Sequence, residues 1–293
     1  MFGMGSLIRF AALGWVVAIA TAPAAGAVIV FSATPQGSQT DQLFSIDPSG
    51  SGLKQLTTGA NPAEGPAFSP NGKRIAFQRS TVGIFTMNVD GTGLHRLTTN
   101  GRDSYPTWSP DGKSIAFVRP LGPAWKVYVM PSSGGARHRL SQAPPAGRPS
   151  WTKAGLLIPS GGDLVKIDSA TGHVLKYYGA DIDAIWGLNS VALSPGVSTL
   201  TFVGARAPEP GDMECGEGPC QRFGLYFENL TTKGKRPHMI VKDAGPAAFS
   251  PNGTQIVFAA GGKLMLRSVG SGATRAISTE GATPTNAAPP AWR

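Results

Sequence analysis

Side chains that commonly carry catalysis are scarce in this sequence. It has four histidines and two cysteines, and the histidines are spread over separate stretches of the chain. No H-E-x-x-H zinc motif, P-loop or G-x-S-x-G nucleophile motif is present. Because each of these enzyme classes depends on its motif, no catalytic residue is predicted and the chain is not expected to be an enzyme.

Charged residues are also few, at 15%, whereas the chain has 39 glycines and 25 prolines. This composition is typical of short strands joined by many turns, with few exposed helices. The formal net charge is +9, but the lysines and arginines are spread singly over many turns. Such a distribution favours solubility or loose contact with anionic envelope polymers. No nucleic-acid partner is predicted.

Long apolar runs are missing except near the N-terminus, where residues 10–20 follow Arg9. Small residues come next and end in Ala25-Gly26-Ala27. This order predicts a signal peptide over residues 1–27 and a secreted protein, periplasmic or extracellular, with a domain over residues 28–293. A bilayer span needs about 20 apolar residues, so no stable membrane span is expected after cleavage. An uncleaved anchor is the alternative.

One motif recurs along the rest of the chain. Residues 66–77 read PAFSPNGKRIAF, residues 106–117 read PTWSPDGKSIAF and residues 247–258 read AAFSPNGTQIVF. Including weaker and truncated copies, the repeat is centred on six residues, Phe68, Trp108, Trp151, Leu193, Phe249 and Trp292. A period of about 40–45 residues with four strand signals per unit is typical of a WD40-like propeller blade.

Strands within one unit are predicted from alternating polar and apolar residues. In the first full unit they cover residues 66–69, 74–79, 84–89 and 94–98. Residues 28–31 match the second strand of a unit, and residues 289–292 match the missing first strand. The sequence therefore predicts an all-β, six-bladed β-propeller of four-stranded antiparallel blades, closed by the C-terminal strand joining the N-terminal blade. Degraded signals in two units leave five or seven blades open.

The repeat, P-x-W/F-S-P-D/N-G-K-x-I-A-F followed by residues 84–98 (IFTMNVDGTGLHRLT), resembles the repeat of TolB-like β-propellers. Two copies match closely and a third in part. The resemblance implies a propeller that binds partners at the bacterial envelope. Because Val28 follows the leader directly, we expect a stand-alone propeller lacking the N-terminal α/β domain of TolB.

Propeller geometry predicts where binding residues would lie. Loops joining an outer strand to the next inner strand gather on one face with the loops between middle strands, and binding residues concentrate on such loops. The candidates at this mouth of the channel are Glu64, Arg102, Asp103, Tyr105, Arg148, Asp181, Asp183, Trp186 and Asp243. They suit a cation, a sugar or the basic segment of a partner. An ordinary polar loop is the alternative.

One repeat interval is longer than the others, because it holds an insertion at about residues 204–223 with an acidic composition. Cys215 and Cys220 lie close together in it, and a disulfide is expected in an oxidising compartment. The alternative, a metal site, lacks the further donors that a tetrahedral site requires. We interpret the insertion as a recognition loop on the same face as the candidate mouth.

The function predicted is a non-catalytic binding module for an envelope or extracellular protein or polymer, acting as a monomer and without a cofactor. The alternative is a propeller lyase or hydrolase with a metal-assisted site at the channel mouth, and a channel cation such as calcium is left open. That alternative requires at least three of the candidate carboxylates (Glu64, Asp103, Asp181, Asp183, Asp243) within reach of one metal or substrate atom.

Overall fold

The computed structural model describes residues 26–144, 146–160, 163–178, 185–196, 198–206, 222–229, 238–286 and 288–293. In these residues the regular secondary structure consists of β-strands arranged in six separate antiparallel sheets. Five sheets have four strands, and the sixth has five because its inner edge is formed by two short strands. The prediction of an all-β, six-bladed propeller with four-stranded blades is confirmed.

Blade 1 begins the chain with β1 (Ile29–Pro35), β2 (Gln42–Ile46) and β3 (Lys54–Gln55). Blades 2 and 3 consist of β4 (Ala63–Phe68), β5 (Arg74–Arg79), β6 (Gly83–Asn88), β7 (His95–Arg96), β8 (Ser104–Trp108), β9 (Ser114–Leu121), β10 (Ala124–Pro131) and β11 (His138–Arg139). Blade 4 consists of β12 (Ser150–Thr152), β13 (Gly155–Ser160), β14 (Asp163–Ile167) and β15 (Val174–Tyr178).

Blades 5 and 6 consist of β16 (Ile185–Leu193), β17 (Thr199–Arg206), β18 (Arg222–Asn229), β19 (His238–Lys242), β20 (Ala248–Phe249), β21 (Gln255–Ala260), β22 (Lys263–Ser268) and β23 (Thr274–Ile277). The chain then returns to blade 1, where β24 (Ala282–Pro284) and β25 (Ala291–Trp292) both pair with β1. In blades 2 to 6 the strands follow the chain order from the channel to the rim.

The ring closes where the last strand pairs with the first. In the antiparallel register of β25 and β1, Trp292 lies opposite Ile29 and Ala291 lies opposite Val30. The N–H of Val28 donates to the carbonyl of Arg293, and the N–H of Arg293 donates to the carbonyl of Val28, both at 3.1 Å. The predicted closure by the C-terminal strand is therefore confirmed, and it covers the inner edge of blade 1.

The core consists of apolar clusters between neighbouring blades. One cluster joins Ala76 and Ile84 of blade 2 to Trp108, Ile115 and Phe117 of blade 3. The second strands contribute the repeated large side chain of the core, which is fully buried in four blades, as Phe77, Phe117, Phe202 and Phe258. Replacing a buried phenylalanine by alanine typically costs about 3–5 kcal/mol, so each of these rings strongly stabilises the stack of blades.

The repeated Ser-Pro-Asn/Asp-Gly segment makes the turn between the first two strands of a blade. In blade 2 the Ser69 hydroxyl donates to Asn71 Oδ1 at 2.8 Å and accepts the Arg74 N–H at 2.9 Å. Gly72 has a φ of +67°, a conformation that glycine adopts without strain. The serine and the asparagine of the motif thus form the hydrogen bonds of the turn, and the glycine provides its positive φ.

Candidate functional site

The inner strands surround an axial channel with small side chains on its wall. Blades 2 to 6 each contribute one of these residues, which are Ala67, Thr107, Ser150, Ala192 and Ala248. A cavity of about 430 Å³ in the channel is also lined by Gly65, Tyr105 and Arg148. A second cavity of about 620 Å³ is lined by the turns between the first two strands. We call the two ends the Tyr105 mouth (Glu64, Tyr105, Arg148) and the Lys153 mouth (Pro70, Lys153, Arg293).

Tyr105 enters the Tyr105 mouth through an irregularity of β8. The register with β9 shifts between Ser104 and Thr107, and Tyr105 has a φ of +55°. Gly65 occupies the equivalent position of β4, two residues before the wall residue, with a φ of +63°. A left-handed conformation costs a non-glycine residue about 1–2 kcal/mol, and such strain is typical of binding sites. Blade 3 therefore has a strained tyrosine at the position where blade 2 has an unstrained glycine.

The Tyr105 ring contacts a cation and, in a tilted arrangement, a second aromatic ring. Arg148 Cζ lies 4.1 Å from the Tyr105 centroid, and Arg148 Nη2 donates a hydrogen bond of 3.3 Å to the Tyr105 hydroxyl. The centroid of Trp125, in β10, is 6.4 Å from that of Tyr105, and Trp125 is 40% exposed. A guanidinium over an aromatic face is attracted by the ring quadrupole. The three side chains form one platform beside the channel.

Hydrogen bonds fix this platform to blade 2. The N–H of Tyr105 donates to Gln78 Oε1 at 2.8 Å, and Gln78 Nε2 donates to Glu64 Oε2 at 3.1 Å. Burial lowers the pKa of Arg148 below the usual arginine value, while Tyr105 and Glu64 oppose that shift. Because arginine keeps its proton in proteins, the mouth holds a permanent, partly desolvated positive charge.

The remaining described candidates do not join this group. Asp103 is buried and accepts two hydrogen bonds from Arg119, at 2.5 Å to Nε and 2.8 Å to Nη2. Arg102 next to it is exposed. Asp243 is exposed after β19 with a φ of +53°, and its carbonyl accepts a hydrogen bond of 3.2 Å from Asn286.

Several candidates cannot be compared with the structure. Asp181, Asp183, Cys215 and Cys220 lie outside the described residues, and of Trp186 only the backbone is described, in β16. The insertion joins β17 to β18, where Arg206 pairs with Arg222. Since these are the middle strands of blade 5, both ends of the insertion leave the blade on the same face as the β9–β10 hairpin.

Sequence reasoning missed Gln78 and Trp125. Gln78 pairs with Glu64 across β4 and β5, which only the register reveals. Trp125 belongs to a hairpin whose strands have eight residues each, against six in the equivalent strands of blade 2. Leu121 and Trp125 are both exposed on it. In the sequence, the available signal is a tryptophan within a hairpin that is longer than its counterpart in blade 2.

The described part of the chain contains no group of three His, Cys, Asp or Glu side chains that could hold a metal ion. Glu64 contacts Gln78, Asp103 contacts Arg119, and Asp243 is exposed elsewhere on the ring. The same residues include no helix with the length and apolar character needed to cross a bilayer.

Comparisons with known proteins agree with the fold. Residues 57–173 match the family model described as "TolB beta propeller domain". Among curated relatives, "Uncharacterized peptidase YuxL" of Bacillus subtilis is 32% identical over 31% of this chain and 16% of its own length. "Uncharacterized protein Atu1656" of Agrobacterium fabrum is 33% identical over 27% of this chain and 29% of its own length. The chain thus spans less than a third of either relative.

Solved structures match over most of the chain. TolB from Acinetobacter baumannii has a TM-score of 0.68 at 18% identity, covering 90% of this chain and 66% of that one. A putative TolB from Agrobacterium tumefaciens has a TM-score of 0.58 at 15% identity, covering 90% of this chain and 93% of that one. At such identities the likeness concerns the fold alone. The chain therefore has the fold of a TolB-like β-propeller, and residues 57–173 of it match the TolB propeller family model.

Proposed function

We propose that this protein is a non-catalytic binding module that engages a protein or polymer of the cell envelope through the Tyr105 mouth. The observation that carries the proposal is the platform of Tyr105, Arg148 and Trp125, held at the channel by the network through Gln78. An exposed aromatic ring beside a partly desolvated cation offers a partner both apolar contact and hydrogen bonding. Aromatic and arginine side chains are the residue types that dominate binding energy at interfaces.

The backbone strain at Tyr105 supports a role in binding in addition to the packing of its ring against the core cluster of blades 3 and 4. A tyrosine at a φ of +55° costs about 1–2 kcal/mol that glycine would avoid. A ring fixed by stacking and hydrogen bonds loses little side-chain freedom when a partner docks, which favours affinity. The predicted signal peptide supports a location outside the cytoplasm, in the periplasm or beyond the cell. The acidic insertion would meet the same partner from blade 5.

Affinity capture from envelope extracts tests the proposal with Tyr105→Gly and Trp125→Ala. Tyr105→Gly removes the ring but relieves the strain, because Gly65 has the same conformation in blade 2. If each ring contributes about 2 kcal/mol to binding, as interface anchors do, the apparent affinity for the captured partner falls about 30-fold. Melting curves are expected to shift by only a few degrees.

Tyr177→Ala is the matched control. Tyr177 is 60% exposed on the outer strand of blade 4, so its loss removes an aromatic ring far from the channel. We expect partner recovery with Tyr177→Ala to equal that of the unchanged protein. Equal recovery with all three variants would refute a binding role for the Tyr105 mouth.

A further inference from the structure

The Lys153 mouth departs from the repeat in two blades. At its turns, blades 2, 3, 5 and 6 have the dipeptide Ser-Pro, as Ser69-Pro70, Ser109-Pro110, Ser194-Pro195 and Ser250-Pro251. Blade 4 instead has Thr152-Lys153, and blade 1 has Arg293 at the serine position after Trp292. Both substitutions introduce a cation, and both cations line the same 620 Å³ cavity.

Neither cation is required by the turn that carries it. In the blades with serine, the serine hydroxyl accepts a hydrogen bond from the N–H of the residue five positions later. Ser109 accepts such a bond from Ser114 at 2.9 Å. In blade 4 the Thr152 hydroxyl accepts the Ala154 N–H at 3.1 Å, and Thr152 pairs directly with Gly155. Lys153 is exposed between them. The tight turn is therefore satisfied without the ammonium group.

Arg293 is held in place without an acidic side chain beside it. Its Cζ lies 5.8 Å from the Phe68 centroid, and its Nε is buried without a hydrogen-bond acceptor among the described residues. Gly72 leaves room for it, since a Cβ at Gly72 would lie 2.9 Å from Arg293 Cδ. The carbonyl of Arg293 is already engaged by the Val28 N–H. A partly desolvated cation of this kind is stabilised by an external anion.

The cavity has no acidic side chain to balance the two cations. Neither Asp nor Glu occurs among its lining residues. In the described part of the chain the one salt bridge joins Arg119 to Asp103, so neither Lys153 nor Arg293 has a carboxylate partner there. Blades 1 and 4 are opposite each other in a six-bladed ring, which places the cations on opposite sides of the mouth. Low-dielectric walls of tryptophan and proline focus such a field.

We propose that the Lys153 mouth binds a small ligand with at least two oxyanion groups, carboxylate or phosphate, that bridge Lys153 and Arg293. A volume of about 620 Å³ lies in the range of small-molecule sites. The guanidinium and the ammonium suit oxyanions as charge-assisted hydrogen-bond donors. The turns that carry this site lie at the other end of the inner strands from Tyr105, and Lys153 also lines the 430 Å³ cavity that extends to Tyr105 and Arg148. The proposal does not depend on the function proposed for the Tyr105 mouth.

Isothermal titration of the purified protein with citrate and with tripolyphosphate, at low salt, tests the proposal. Glucose serves as the uncharged probe. We expect saturable binding of at least one anion, weakened tenfold or more by Lys153→Gln and by Arg293→Gln. Raising the salt weakens the binding because free ions screen the cations. Binding of citrate alone identifies a carboxylate site, binding of tripolyphosphate alone a phosphate site, and binding of both a general oxyanion site.

Lys73→Gln and Lys113→Gln are the matched controls. Both lysines lie on turns of the same face, and each change removes one positive charge, but neither side chain lines the cavity. We expect less than a twofold change for both variants. Absence of saturable anion binding, or equal weakening by Lys73→Gln and Lys153→Gln, would overturn the proposal. If Arg293→Gln fails to fold, Lys153→Gln decides alone, because its turn does not use the side chain.

Discussion

Replacing Asp103 by asparagine tests how its ion pair with Arg119 stabilises blade 3. Asp103 is 1% exposed and accepts both hydrogen bonds of the Arg119 guanidinium, at 2.5 and 2.8 Å. The hydrogen bond to Asp103 raises the pKa of Arg119 above the usual arginine value. In blade 2 the equivalent arginine, Arg79, lies opposite Ala63, and burial lowers its pKa. The carboxylate is therefore what compensates the cation in blade 3.

The size of the effect follows from burial. Removing one partner of a buried ion pair typically costs about 3–5 kcal/mol. The Arg119 side chain keeps 16% exposure, and its stacking on Tyr128, at 4.9 Å from the centroid, survives the change. We therefore expect Asp103→Asn to lower the free energy of unfolding by about 2–3 kcal/mol, which corresponds to a melting temperature about 5–10 °C lower in a domain of this size.

Urea unfolding of a double-mutant cycle measures the coupling directly. The cycle combines Asp103→Asn with Arg119→Met, and we expect an interaction energy of about 2 kcal/mol between the two positions. Glu280→Gln is the control, since Glu280 is exposed and exposed substitutions usually change stability by less than about 0.5 kcal/mol. A coupling below about 0.5 kcal/mol, or a loss no larger than that of Glu280→Gln, would refute this reasoning.

Two further predictions concern a closely packed glycine and the insertion. Gly101→Ala is expected to destabilise the fold by about 3 kcal/mol or more in urea unfolding, because its Cβ would lie 2.2 Å from the Thr81 carbonyl oxygen and backbone must move. Gly270→Ala, with nothing within 4 Å of the added Cβ, is expected to leave stability unchanged or raise it slightly. Similar losses at both sites would contradict this explanation. Replacing residues 207–221 by an Asn-Gly turn between the paired Arg206 and Arg222 is expected to preserve the melting temperature. It should reduce partner recovery from envelope extracts, and full recovery would rule out the recognition role.

The repeat predicted most of the fold because its residues act locally. The Ser-Pro-Asn/Asp-Gly turn and the alternating strands depend on neighbours in the chain, so residues 74–79 were predicted as a strand with the observed bounds of β5. The pairing of Trp292 with Ile29 followed from one missing and one surplus strand. In contrast, β24 pairs with the end of β1 without any repeat motif, because that pairing depends only on the closed ring.

The candidate site was predicted less completely than the fold, because its contacts cross between strands and blades. Glu64, Tyr105 and Arg148 were placed at one mouth by loop position, but their link through Gln78 depends on register. Asp103 was assigned to the mouth as well, although the structure pairs it with Arg119 inside blade 3. Whether a loop carboxylate faces the channel or a neighbouring strand depends on backbone geometry that the sequence pattern does not specify.

A repeated fold offers its own test of which residues serve the scaffold. The six blades repeat one antiparallel arrangement of strands. A residue type that recurs at the same position of several blades therefore indicates what the fold requires there. Gly65 and Tyr105 share a left-handed conformation, and the tyrosine is strained there although its ring also packs against the core cluster of blades 3 and 4. Lys153 replaces a proline that recurs in four blades, and its turn closes without it. Both departures line one channel, and positions that break the repeat are where a binding role is best tested.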